Sequence, residues 1–477
     1  MPRGNVVRIQ DPVHGLMEFR GLEGIVVDVL ETPEIQRLKR IRQLAVGHYV
    51  FPGAEHSRFV HSLGAAWLAI QFCRQLRYAT RGYLTDVLRP SEIAIADLAV
   101  AALCHDLGHG PLSHAWERVV IGDHFDRGAL CTTLGITDDL RHLLSDAPWH
   151  EITTAGLLLW KDGTLHQLLE DYDQGSSMRI ARLLRGRYWL EYLPSLLSRE
   201  VDVDRVDYIR RDTHQTGVAY GRFDLAWLIS TCTVGEFDGR WVTGFDSRKA
   251  PRVIEQFLAA RIALYDTVYC HRTVRAVEAM FKSLLKRLKD VPGAIDALPG
   301  GGAFAKSIRG EPLSQTEILQ LDDYALFNLI HQIANTPGTD PILEDLAKRI
   351  LGRDLFKMVP ISPKMIEGYV WQEEAQEAVY EKLYRVIRPY CPSPAHVKYY
   401  LVHDDYSVTY FNEKPKKNTE DEGEWMRRHS SFLIDESRKA TAFQKDEELS
   451  ARKKRLDIKR LFTLDSCSEA VAKVIQD

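Results

Sequence analysis

The sequence predicts a mostly α-helical fold, with a large helical core over residues 1–360 and a smaller α+β lobe over 361–477. Three observations predict it. Helical periodicity recurs in long stretches from residue 31 to residue 358. One stretch, IAIADLAVAAL (93–103), is apolar nearly all round, as a helix at the centre of a packed core must be. Beyond residue 360 the character changes, and HVKYYLVHDDYSVTYF (396–411) alternates and is rich in aromatic and β-branched residues, the pattern of a strand.

The elements follow in order. Residues 1–20 read as an extended arm, with VVRIQDPVHG (6–15) closing on a turn signal. Pro33 stands where a first helical turn tolerates proline. Ile35, Leu38, Ile41 and Leu44 then recur at intervals of three as a buried stripe. Helices are expected from Ser57 to Leu76, from Pro90 to Leu107, through 150–212 and through 251–289. VPGAIDALPGGGAF (291–304) is a Gly- and Pro-rich loop, and helix resumes over 315–358. In the lobe, a charged mobile loop is expected at 413–431, a strand at SFLIDE (431–436) and a closing helix at SEAVAKVI (468–475). No internal repeat is visible.

Composition narrows the class. Hydrophobic residues make up 45% and charged residues 27%, a soluble globular mix that excludes collagen-like, wholly disordered and disulfide-scaffold chains. The net charge of -4 disfavours a protein that coats nucleic acid. Seven scattered cysteines with no CxxC pair fit a reduced compartment. The N-terminus has no apolar signal region, and no apolar run is long enough to cross a membrane. The expectation is a cytoplasmic protein without a membrane partner.

The chemistry concentrates in ALCHDLGHGPLSH (102–114). His105 and Asp106 close the apolar helix, and His109 shares their face if the helix continues that far. Gly110 and Pro111 end it, and His114 and Glu117 follow three residues apart. Upstream, HSRFVHSLG (56–64) supplies His56, Arg58 and His61. Downstream, SREVDVDRVDYIRRDTHQTG (198–217) sets Asp204, Tyr208 and Asp212 four apart on one helical face. His61, His105, Asp106 and Asp204 can hold one divalent ion (Fe, Mn, Zn or Co) and leave positions open, as a catalytic site requires. Asp202, Asp207 and Arg211 read as helix-face ion pairs, and His48 and His56 as structural. A second His-Asp pair, His403-Asp404, reads as surface decoration, and ARKKRLDIKR (451–460) as a solvated helical face.

Several segments in fixed order carry a resemblance. They are DPVHG (11–15), TPEIQRLKRIRQL (32–44), YVFPGAEHSRFVHSLG (49–64), HDLGHGPLSH (105–114), WHE (149–151), DVDRVDYIRRD (202–212) and the stretch from Tyr269 to Arg272, with a weaker echo in LIDESRKATAFQKDEEL (433–449). Together they resemble the HD-domain phosphohydrolases. Within these they are most similar to the deoxynucleoside triphosphate triphosphohydrolases of the SAM-and-HD-domain type, here without a SAM segment. The resemblance implies conversion of a dNTP and water to deoxynucleoside and inorganic triphosphate. It implies that residues 1–360 are the HD-domain core.

The resemblance also implies site roles. The metal polarises an α-phosphate oxygen, with Mg or Mn accompanying the nucleotide phosphates. His150 is the general acid for the leaving 5′-oxygen, and His109 contacts phosphate. His114 works with Glu117, which stands where relatives carry Asp, to orient water. Arg58, Arg205 and Arg261 hold phosphates, and Tyr208 lines the sugar and triphosphate. Gln43 and Asp212 hold the 3′-hydroxyl, and Tyr269 with Leu44 leaves no room for a 2′-hydroxyl. Glu31, Gln36, Lys39, Arg353 and Lys357 match a guanine-nucleotide activator site, and Val50, Phe51, Lys249, His271 and Arg272 a second one. A homo-oligomer follows, with a tetramer favoured. Two rival readings remain at this stage: an HD phosphohydrolase acting on a cyclic dinucleotide or guanosine alarmone, and a non-catalytic protein that binds nucleotide or single-stranded nucleic acid.

Overall fold

A computed structural model describes residues 6–122, 125–296, 298, 301–362, 381–409, 421–445 and 455–476. The chain opens with an antiparallel hairpin, β1 (Val7–Asp11) and β2 (Gly15–Phe19), in register Val7 to Phe19. The stripe at Ile35, Leu38 and Ile41 is fully buried, but its backbone is a short helix, Pro33–Gln36, that tightens into a 3₁₀ turn over Arg37–Arg40. Leu44 lies beyond both.

Two helices form the centre, α1 (Arg58–Ala79) and α2 (Glu92–Cys104), which pack along each other. Ser91 caps α2 by accepting the Ala94 N–H at 3.1 Å, and every residue from Ala94 to Cys104 is buried. Its alanines let neighbouring backbones approach closely. α3 (Trp149–Leu158) and α4 (Val203–Thr216) complete the layer that carries the site. Asp202 caps α4, and Gly217, in the left-handed region at φ 75°, ends it. At Gly64, in α1, a Cβ would collide with the Asp207 carboxylate of α4. Glycine there permits the contact on which the site depends.

Further along come β3 (Cys232–Phe237), β4 (Arg240–Asp246), α5 (Pro251–Leu264), α6 (Arg272–Asp290) and α7 (Pro341–Gly352). The last part supplies β5 (Lys357–Met358), β6 (Leu401–Thr409), α8 (Glu422–His429), β7 (Phe432–Ile434), β8 (Ala440–Ala442), β9 (Arg455–Thr463) and α9 (Ser468–Gln476). The expected mostly α core with a smaller α+β region is the fold observed.

Two sheets bridge residues 360 and 361. One has the order β3-β4-β7-β8, with β4 and β7 parallel through Phe245 to Leu433. The other has the order β5-β9-β6 and is antiparallel. One hydrophobic core also runs across, from Met280 and Phe281 to Phe356, Tyr399 and Phe462. The C-terminal part is therefore packed into the helical core.

Three local readings are corrected. Of the expected loop at 413–431, residues 413–420 lie outside the described residues. Glu422–His429 is a helix, because Asp421 caps it and Trp425 and Met426 are buried. Of ARKKRLDIKR, residues 451–454 lie outside the described residues, and the remainder is strand β9. Asp404 is no surface decoration: it is 3% exposed and grips the equally buried Arg275 with both oxygens.

Candidate active site

The metal-ligand candidates come from three elements. His61 projects from α1, His105 and Asp106 follow the end of α2, and Asp204 lies in the first turn of α4. His61 Nε2 stands 3.3 Å from His105 Nε2 and 3.1 Å from Asp204 Oδ1, and His105 Nε2 is 3.5 Å from the same oxygen. Asp106 joins them, with Oδ1 3.4 Å from His105 Nε2 and Oδ2 3.7 Å from His61 Nε2. The opposite ring nitrogens are occupied. His61 Nδ1 pairs with Asp207 at 2.8 Å and His105 Nδ1 with the Ala102 carbonyl at 2.7 Å. Such partners fix ring orientation and leave each Nε2 as the free donor, the arrangement of metal-binding histidines. This donor set fits a divalent ion.

Electrostatics agree. Burial opposes protonation of His61, but Asp204 and Asp207 outweigh it and push its pKa up to about 10. His105 is also raised, against burial, by Asp106 and Asp204. Four donors crowded this closely call for a cation.

Asp207 and Arg211 form the expected ion pair along α4, at 2.9 Å, but it lies in the interior. Both are fully buried, and Asp207 also pairs with His14 Nε2 at 2.6 Å. Arg211 bridges Asp207 to Asp11 at 2.9 Å each. The sequence reading missed this support, although the i, i+3 spacing of Asp204 and Asp207 and the DPVHG segment both signalled it.

The helix does not continue to His109. α2 stops at Cys104 and turns follow, so His109 leaves His105 and enters a second cluster. His109 stacks on His150 at 4.2 Å between ring centroids, with His114 edge-on to both. Glu117 bonds His150 Nδ1 at 2.9 Å and stands 3.3 Å from His109 Nδ1. Glu117 pairs with His150 in place of the expected His114, because the short α-helical turn His114–Trp116 and the π turn Glu117–Ile121 carry the longer Glu117 side chain toward α3. Despite burial, these histidines hold the Glu117 carboxyl well below its usual range. His114, exposed to the cavity, has its pKa shifted downward by desolvation in the site and by His109 and Arg58, which favours the neutral ring.

The loop between these clusters is strained and pinned. Leu112 and Ser113 have φ of 53° and 52°, conformations that cost about 1–3 kcal/mol each. Asp323 holds Leu112 N and Arg42 N at 2.8 Å each. Buried Arg37 donates to the Leu107 and His109 carbonyls. At Gly108 a Cβ would strike the His150 carbonyl, so glycine lets this loop sit on α3.

Both clusters open onto a cavity of about 470 Å³. Gln43, Leu44, Arg58, Arg205, Tyr208, Asp212 and Tyr269 line it, as the sequence reading expects; Arg261 stands outside the lining, beside the Tyr265 ring. Arg58 donates to Asp106 and to Ser113 Oγ. Arg205 is tied to Asp202 and to the Arg199 carbonyl. Asp212 receives Tyr269 OH at 2.6 Å and contacts His56 Nε2 at 2.8 Å, so His56 supports the site. Gln43 Oε1 is buried without a hydrogen-bond partner among the described residues. Arg118 and Tyr406, which the sequence reading did not single out, line the cavity too.

The expected regulatory residues lie elsewhere. Glu31, Lys39, Lys249, Arg272, Arg353 and Lys357 are exposed, and Gln36 donates to the Leu30 carbonyl. Phe51 meets His271 edge-on at 5.9 Å beside half-buried Val50, which joins part of the second set. Arg353 donates to the Tyr49 carbonyl at 3.1 Å.

Among known proteins, the HD domain matches residues 58–143. The chain is 30% identical over 354 residues to the uncharacterized protein YwfO of Bacillus subtilis, covering 74% of this chain and 72% of that one. It is 27% identical to bovine deoxynucleoside triphosphate triphosphohydrolase SAMHD1, covering 85% and 66%, and 29% identical to the human protein, covering 74% and 54%. The matched region thus spans about half to two thirds of these SAMHD1 proteins. The crystal structure of a phosphohydrolase from Bacteroides thetaiotaomicron has the same fold, with a TM-score of 0.71, 23% identity, and coverage of 97% of this chain and 100% of that one. Among the described residues no helix is long and apolar enough to cross a membrane.

Proposed function

Because the chain belongs to the HD-domain deoxynucleoside triphosphate triphosphohydrolase family, we propose that it hydrolyses a dNTP to deoxynucleoside and inorganic triphosphate in a metal-dependent reaction. The observation that carries this reading is the juxtaposition of two clusters. Asp106, one of the four donors His61, His105, Asp106 and Asp204, lies 3.3 Å from His109, which stacks on His150 of the Glu117–His150 pair, and both clusters open onto one cavity. A divalent ion held by those four residues supplies Lewis-acid polarisation of a phosphate oxygen.

The chain's own groups divide the rest of the work. Arg58, fixed by Asp106 and Ser113, keeps guanidinium N–H groups for phosphate, and Arg205 adds a second cation. Gln43 and Asp212 receive the sugar 3′-hydroxyl. Tyr269, anchored by its bond to Asp212, forms with Leu44 a rigid wall where a 2′-hydroxyl would sit. Neutral His114 accepts a hydrogen bond from the attacking water; a group of lowered basicity orients water instead of deprotonating it. Water attacks the α-phosphorus, the bond to the 5′-oxygen breaks, His150 gives that oxygen its proton, and the proton shed by the water passes from the new triphosphate oxygen to solvent. Glu117 holds His150 Nδ1 and stabilises the imidazolium before transfer.

The reading extends to nucleotide-linked assembly as a homo-oligomer, with a tetramer favoured, supported by the exposed cations Lys39, Lys249, Arg272, Arg353 and Lys357. The test is a product assay with Mn²⁺ or Mg²⁺ and each dNTP, singly and mixed. Intact triphosphate and deoxynucleoside support the reading; release of other products, or none, refutes it. Turnover only in the mixture marks an activator, and sedimentation with the same nucleotides reads the assembly.

A further inference from the structure

Beyond His114 the cavity continues into an end that the roles above leave without a ligand. Its wall includes Arg118, Arg275, Glu278 and Tyr406. Tyr406 arrives from the C-terminal sheet. On β6, Val402, Asp404, Tyr406 and Val408 turn inward while His403, Asp405, Ser407 and Thr409 are exposed. The strand is held in register by the Asp404–Arg275 ion pair. Arg275 also meets Glu278 at 2.6 Å and lies 4.5 Å from the Tyr406 ring, so two carboxylates balance its charge.

Arg118 differs. It is exposed within the cavity wall, and its Nε donates only to the His114 carbonyl of its own turn, at 3.3 Å. Among the described residues it forms no ion pair. Its guanidinium lies 6.0 Å from the Tyr406 ring. The phosphate cations Arg58 and Arg205 sit instead beside the metal donors. A polyanion gains nothing from the Glu278 carboxylate at this end. A planar heterocycle uses all three features: an aromatic face and a planar cation for stacking, and both a donor and an acceptor for its edge.

We propose that Arg118 and Tyr406 seat the nucleobase of the substrate, with Glu278 facing its N–H edge, an assignment that rests on the dNTP reading of the site. The test compares Arg118→Gln, Tyr406→Leu and Tyr406→Phe with wild type in the full chain. It measures steady-state turnover of the four dNTPs, inhibition by deoxyguanosine and deoxyadenosine, and inhibition by inorganic triphosphate.

Stacking strengths of this kind predict that KM rises roughly tenfold in Arg118→Gln and Tyr406→Leu with kcat little changed. Inhibition by both deoxynucleosides should weaken in step, inhibition by triphosphate should hold, and Tyr406→Phe should retain the wild-type KM. Weaker triphosphate inhibition with deoxynucleoside inhibition intact would overturn the proposal by making this a phosphate end, and unchanged constants would overturn it outright. If wild type turns over no dNTP, the catalytic reading fails separately. Calorimetric titration with deoxyguanosine then decides the seat: binding by wild type that Arg118→Gln loses supports it, and no binding by wild type refutes it.

Discussion

Replacing Glu117 by Gln tests the acid assignment most directly. Gln preserves size and keeps a hydrogen-bonding oxygen but removes the negative charge. In the structure that charge faces His150 Nδ1 at 2.9 Å and His109 Nδ1 at 3.3 Å. A hydrogen bond to a charged group contributes about 1.5–3 kcal/mol. At about 1.4 kcal/mol per tenfold change in rate, the loss should lower kcat about 10- to 100-fold with KM nearly constant. Deoxynucleoside release reads this fall, and metal content should remain at the wild-type level, since Glu117 contacts none of the four metal-donor residues. An undiminished kcat would refute the Glu117–His150 assignment. Loss of the metal would relocate Glu117 to the other cluster.

Asp207→Asn should leave the chain folded yet weaken metal binding about 10- to 100-fold, because it loosens the ring of His61; an unchanged affinity by metal titration would contradict that support role. Tyr269→Ala should relax discrimination against ribonucleotides, read as the ratio of kcat/KM for paired dNTP and rNTP substrates; a constant ratio removes the steric explanation. His61 has its pKa raised from 6.5 to about 10 in the metal-free fold, so its proton stabilises that fold fully below pH 6.5, and the stabilisation disappears as pH rises toward 10. Metal-free protein should therefore lose stability across this window in denaturation experiments, while bound metal suppresses the loss; parallel curves would count against it. Asp404→Ala strips a buried cation of its main partner and should cost about 3–5 kcal/mol in chemical denaturation, less what Glu278 recovers. A cost near zero would return Asp404 to the surface role read from sequence.

Much of this was legible before any coordinates. The i, i+4 spacing of Asp204, Tyr208 and Asp212 put three side chains on one face, and all three line the cavity. The apolar run at 93–103 is buried at the centre. Ile35, Leu38 and Ile41 are buried as a stripe even though a 3₁₀ turn interrupts their helix, because spacing by three survives that change of pitch. The reading failed where the backbone turned unexpectedly. The helix stopping at Cys104 separated His109 from His105, and the turn at Leu112 and Ser113 sent Glu117 to His150 instead of His114.

The sequence by itself thus determined the helical class, the strand-rich end, the candidate metal-donor types and a set of charged and polar residues in the cavity wall. Each of these is encoded in local periodicity or in a short motif. Tertiary structure alone decided the partners: Glu117 with His150 across 33 residues, Arg275 with Asp404 across 129, His61 with Asp207 across 146. Local spacing settles which face a side chain occupies. Which of several charged groups it meets there depends on helix ends and interhelical approach, down to the missing Cβ of Gly64 and Gly108, and a shift of about 1 Å at either place would exchange one hydrogen-bond partner for another.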